Sequence, residues 1–69
     1  MPIVTIKIAH GRSKKTKRDL VASVTQSVAK SLELDSELIT VLIEEFDREN
    51  WSTGGELHVD KYGNGFGHK

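Results

Sequence analysis

Cysteine is absent from this 69-residue chain, which removes disulfides and thiolate metal sites together. Long apolar runs are missing as well: nothing approaches the ~20 residues of a membrane span. The amino terminus lacks a basic segment followed by an apolar one, so no secretory signal is expected. Net charge is zero, ten basic residues against ten acidic ones, whereas a dedicated nucleic-acid binder is usually basic over its whole domain. The expectation is a soluble, cytoplasmic protein with neither nucleic acid nor membrane as partner. Metal chemistry is not expected either, because His10, His58 and His68 lack ligand spacing and have no thiol beside them. The tail Gly63-Asn64-Gly65-Phe66-Gly67 is not flanked by a strand–helix junction. It therefore reads as a mobile tail and not as a phosphate loop.

Length is the other shortage. One domain of this size buries only about 60% of its unfolded surface and is marginal alone. Such chains are rescued by disulfides, a metal or oligomerisation. With no cysteine, oligomerisation leads. Charge is also unevenly spread: residues 1–30 hold seven basic side chains against Asp19, and residues 31–69 hold three against nine acids. Halves of +6 and −6 are suited to facing each other within an assembly.

What is present reads as one βαβ unit. Residues 2–9 alternate, with Pro2, Val4, Ile6 and Ile8 on one face and Ile3, Thr5, Lys7 and Ala9 on the other. Proline is tolerated at the first position of a strand. His10-Gly11-Arg12-Ser13 is a loop with Ser13 as the candidate helix cap. From Lys14 to about Leu32 the period becomes helical, with Leu20, Val24, Val28 and Leu32 four apart. Lys14, Lys15, Lys17 and Arg18 oppose the dipole of the first turn; they are expected to form a solvated face or to contact acidic residues of a neighbouring copy, an anion-attracting rim or a nucleic-acid patch being the other reading. Ile39 to Phe46 is a second strand with apolar residues on both faces, the pattern of a parallel strand covered twice. One helix covers one face only, so another copy of the chain is expected on the other. Asp47 to Asn50 is a polar loop, and Leu57-His58-Val59 is expected to close a hairpin across Gly54-Gly55. The predicted class is α+β: a right-handed parallel β-α-β unit with a short carboxy-terminal hairpin.

Several residues in order resemble the 4-oxalocrotonate tautomerase family. They are Pro2 after the initiator, Gly11-Arg12-Ser13 opening the helix, Ser31-Leu32, Val41-Leu42-Ile43 and Trp51-Ser52-Thr53-Gly54-Gly55-Glu56-Leu57. The match takes in residues 2–57 of a single domain, leaving 58–69 as an extension. The resemblance implies an assembly of identical subunits, commonly a hexamer, and an isomerase needing no cofactor. It makes Pro2 the general base once Met1 is removed, Arg12 the binder of a substrate carboxylate, and Trp51 an apolar wall of the pocket. Thr40 stands where the family's archetype has a second arginine that reaches a neighbouring site. A hydroxyl cannot replace a bidentate cation, so the archetype's dicarboxylate-derived substrate is not carried over. Arg48 or Lys7 are the cations left to substitute.

Keto–enol tautomerisation requires a base for the proton beside a carbonyl, best with a pKa near the working pH. An α-amino group titrates at ~7.7–8.0, and a prolyl amine is expected higher. An apolar pocket and a nearby guanidinium both disfavour the ammonium; the same Arg12 can stabilise an enolate oxygen. With Met1 attached, the nitrogen is an amide and no base. Two other readings differ in prediction. A hydratase or dehalogenase of unsaturated halo-acids wants a protonated proline and a water-activating carboxylate; Glu49 and Glu56 are the acids near Ser52 and Thr53. A non-catalytic binding protein of the same fold would keep Met1.

Overall fold

A computed structural model describes residues 2–63. The asparagine-to-lysine end of the chain, including most of the glycine-rich tail and His68, lies outside the described residues. Strand β1 runs Ile3–Ala9, helix α1 Lys14–Leu32, and strand β2 Thr40–Phe46. After β2 come a 3₁₀ turn at Arg48–Asn50, a hairpin of β3 (Ser52–Thr53) and β4 (Glu56–Leu57), and a short helix α2, His58–Tyr62.

β1 and β2 pair in parallel, Ile3 beside Thr40 through to Ala9 beside Phe46. Residues paired in this register share a face. Val4, Ile6, Ile8, Val41 and Ile43 therefore form the side toward α1, and all five are half-buried. The opposite side holds Ile3, Thr5, Lys7, Leu42, Glu44 and Phe46.

Helix α1 begins where the sequence requires. Ser13 is extended and its Oγ accepts the Thr16 N–H at 3.1 Å, satisfying one of the amides that have no partner in the first turn. At the other end Glu33 adopts a left-handed conformation (φ 55°), and the Leu34 N–H returns to the Ala29 carbonyl at 3.0 Å. This is the Schellman closure, with glutamate in the place glycine usually takes. Leu20, Val24 and Val28 are half-buried as expected, but Leu32 is 55% exposed. A step of four residues advances about 40° beyond a full turn. Three steps carry Leu32 about 120° around the cylinder from Leu20, off the covered stripe. Val21, Thr25 and Ala29 complete that stripe instead.

The basic run at the helix start finds acids within the chain. Lys15 pairs with Asp19 at 3.0 Å and Lys17 with Glu45 at 2.7 Å. Glu45 lies on the helix-facing side of β2, so the second pair ties helix to strand.

Two boundaries differ from expectation. The loop after β2 contains a helical turn, closed by the Asn50 N–H on the Asp47 carbonyl. His58 and Val59 are helical and do not extend β4. Gly54 and Gly55 both have positive φ (65° and 85°), the requirement of a tight hairpin turn. The ladder it starts has only two register pairs. Beyond them, the His58 and Tyr62 rings meet edge-on at 5.1 Å, a pair one helical turn apart.

Among the described residues none is fully buried. Ile3 is 67% exposed and Leu42 50% exposed, both on the open side of the sheet. No described helix is long and apolar enough to cross a membrane.

Candidate active site

Pro2 stands at the head of β1, half-buried, with its carbonyl accepting the Thr40 N–H at 3.2 Å. That bond is the first of the parallel pairing and fixes the proline beside the start of β2. Thr40 is exposed at this same end. These two sequence-predicted residues are therefore neighbours.

Arg12 and Trp51 lie elsewhere. The turn after β1 keeps Arg12 against the strand it follows: one guanidinium N–H donates to the Ala9 carbonyl at 3.0 Å. Gly11, at φ 131°, supplies the backbone conformation for this reversal. Trp51 reaches the same place from the segment between β2 and β3. Its ring meets Phe46 edge-on at 6.2 Å and stacks on His58 at 5.2 Å and 20°. The His58 N–H donates to the Trp51 carbonyl at 2.7 Å, and its Nε2 pairs with Thr53 Oγ1 at 2.8 Å. Indole and imidazole are thus held by backbone, hydroxyl and ring contacts together.

Arg12 and Trp51 share a hollow of ≈ 180 Å³, lined also by Lys7, Ile8, Ala9, Arg48 and His58. Three consecutive β1 residues contribute to it and no β2 residue does, so it opens along the edge of β1 that β2 leaves unpaired. Among the described residues its lining holds no carboxylate. A nearby acid is Glu45, whose carboxyl is held below the ordinary glutamate range, first by the hydrogen bond from Lys17; burial opposes this as the next largest effect, and the Lys17, His10 and Arg12 charges add to the lowering.

Pro2 and Arg12 are separated by the whole of β1. Seven residues at ~3.3 Å each make about 23 Å, so one chain does not bring its own proline to its own Arg12–Trp51 hollow. The hollow's lining includes two residues that sequence reasoning did not place there as a set. Arg48 was one of two suggested cations, and His58 was assigned to a strand. The i, i+4 spacing of His58 and Tyr62 is the signal that would have put the imidazole on a helix beside Trp51. Among the described residues, no group of three or more histidines and acids is placed to hold a metal.

Comparison with known proteins agrees with this architecture. The family described as Tautomerase enzyme matches residues 2–61. A probable tautomerase of Halalkalibacterium halodurans is 41% identical over 61 residues, covering 88% of this chain and all of its own. Among solved structures, one from a study of the 4-oxalocrotonate tautomerase isozymes of Methylibium petroleiphilum superposes with a TM-score of 0.84. It is 28% identical and covers 87% of this chain and 94% of that one. A structure solved in an analysis of trans-3-chloroacrylic acid dehalogenase activity gives a TM-score of 0.75 at 27% identity, over 81% and 97% of the two chains. With the parallel β-α-β unit, the two-glycine hairpin and a family match that runs from Pro2 past Trp51, the chain belongs to the 4-oxalocrotonate tautomerase family.

Proposed function

We propose that the protein is a cofactor-independent keto–enol tautomerase, acting in the cytoplasm on a small enol or 2-oxo carboxylic acid at sites shared between two copies. The observation that carries the reading is the separation of Pro2 from the hollow holding Arg12 and Trp51. The hollow lies along the free edge of β1. A second copy pairing its own β1 antiparallel on that edge would bring its Pro2 there, and two-fold symmetry would build both sites at once. The same pairing would join the two sheets. Their open faces, with Ile3 and Leu42, would remain for further copies, consistent with a hexamer.

In this reading Pro2, freed of Met1, takes the proton from the enol oxygen or the carbon beside the carbonyl and returns it at the other position. Arg12 holds the substrate carboxylate and steadies the enolate oxygen, in a site whose walls are Ile8, Ala9 and Trp51. The cationic lining favours an uncharged proline at neutral pH, because an ammonium there would face like charges. Thr40 stays beside Pro2 and contributes no cation. The hydratase reading lacks support at the hollow itself: among the described residues its lining supplies no carboxylate to activate water.

The test is conversion of an aryl enolpyruvate to its keto form, followed by ultraviolet absorbance. Replacing Pro2 by Ala should lower kcat by about 10²–10⁴, the usual worth of a general base. Turnover unchanged by Pro2→Ala would end the proposal. The intact mass of the protein made in cells separates it from a non-catalytic relative, since a retained Met1 makes the Pro2 nitrogen an amide with no basic lone pair.

A further inference from the structure

Trp51 lies between two hollows. One is the ≈ 180 Å³ hollow it shares with Arg12; the other, of ≈ 400 Å³, is lined by Trp51 with Lys7, Phe46, Asn50 and Ser52. The position of the indole therefore decides where the first ends and the second begins. Regular backbone structure does little to fix it, because Trp51 falls between the 3₁₀ turn and a hairpin of two register pairs. Rings hold it instead. Phe46 meets the indole edge-on at 6.2 Å, and His58 stacks on it at 5.2 Å and 20°. His58 is itself tied to both sides of the Gly54-Gly55 turn. Its main-chain N–H donates to the Trp51 carbonyl at 2.7 Å, and its Nε2 pairs with Thr53 Oγ1 at 2.8 Å. Tyr62, edge-on at 5.1 Å, continues the row of rings into α2. An aliphatic side chain could start the same short helix, but it could not offer a flat face to the indole and a polar rim to Thr53.

We propose that His58 is a positioning residue: through its stack on Trp51 and its bond with Thr53 it fixes the indole between the two hollows, and so limits the size of the apolar group that the Arg12 site admits. This assignment rests on the tautomerase reading for what the site does to its acid, but binding tests it without turnover. His58 acts through Trp51. Without the imidazole the indole turns away from the Arg12 side, and the two hollows join. A small aryl acid then loses its wall, and a larger one gains room.

Trp51 is the sole tryptophan of the chain, so its fluorescence reports on the wall directly. The experiment uses the full-length protein, Met1 removed, with acrylamide as quencher and with phenylacetate and naphthylacetate as unreactive ligands in titration calorimetry. Naphthylacetate has more apolar area and would bind more tightly at an open wall, so tighter binding of phenylacetate in the parent marks a size limit. His58→Ala should weaken phenylacetate by about two- to tenfold, the worth of a stacked aromatic pair, and should leave naphthylacetate the better ligand. The same variant should make Trp51 more readily quenched. Thr53→Val, which keeps the size of the side chain and removes its hydroxyl, should shift preference and quenching the same way. In the His58→Ala background it should add nothing, because the two residues act in series. Thr53→Ser should match the parent. The proposal is overturned if the parent prefers naphthylacetate, or if His58→Ala leaves preference and quenching unchanged. It is overturned equally if both acids weaken alike with quenching unaltered, which a purely structural histidine would give, or if Thr53→Val adds in full to His58→Ala. A size limit that depends on His58 in a protein with no turnover would uphold the positioning and refute the tautomerase. Turnover lost in Pro2→Ala with the size limit intact would uphold both.

Discussion

Glu45 shows how single residues shape the charge around the candidate site. Its carboxylate accepts a hydrogen bond from Lys17 at 2.7 Å and lies within the fields of His10 and Arg12. A carboxyl held below its unfolded value stabilises the folded state above that unfolded value. The contribution is lost as pH falls through the folded one. The window therefore opens near pH 4.3, the ordinary glutamate value, and extends to lower pH. We predict that Glu45→Gln, which mimics the protonated carboxyl, lowers the neutral plateau of the melting-temperature profile by the small amount a surface pair contributes and matches the parent at the acid end, so that the limb below about pH 4.3 is flatter. An acid limb identical in the variant would assign the loss to other carboxylates. Arg12 itself illustrates the limit of reading residues singly: its anchoring on Ala9 is local, but its partnership with Trp51 depends on a segment 39 positions later.

Elements were legible in the sequence to the extent that they rest on local rules. Helix α1 begins at Lys14 because Ser13 caps Thr16, and it ends at Leu32 because Glu33 turns left-handed; the apolar period and the cap residue indicated both. The first strand was equally clear, since alternation from Ile3 to Ala9 has one reading. Misreadings came where a longer-range contact competed. After Leu57 the ring of His58 stacks on Trp51 and starts a helix, where the hairpin pattern suggested continued strand. Leu32 was misplaced by counting fours without the drift they carry. The capping account predicts that Ser13→Ala destabilises the protein by about 1 kcal/mol, measured by denaturant unfolding at fixed protein concentration. Ser13→Asp should preserve stability. If alanine is neutral, the bond to Thr16 contributes nothing to the helix start.

At the scale of the whole molecule, the absence of any fully buried residue among those described is the dominant fact. In the proposed assembly such a chain has its core between copies, and its stability should rise with protein concentration. The sequence pointed to this through size, missing cysteine and a strand apolar on both faces. It could not indicate which residues meet, because pairing between copies leaves no spacing signal within one chain. Leu42→Asp places a charge on the open sheet face, across from Thr5. We expect it to reduce the assembly to smaller species in analytical ultracentrifugation and to lower thermal stability. A full-sized assembly in this variant would mean that the open face is not buried against another copy.

The central claim is that each site draws its proline from one copy and its arginine from another. Pro2→Ala and Arg12→Ala, each nearly inactive alone, should complement each other when co-expressed or refolded together. A mixed pair holds one site with both changes and one with neither. Random pairing through a two-fold interface should restore about a quarter of the wild-type sites. Recovery near that level is the predicted result; a mixture as inactive as its two components, despite verified mixed assemblies, would contradict the shared site.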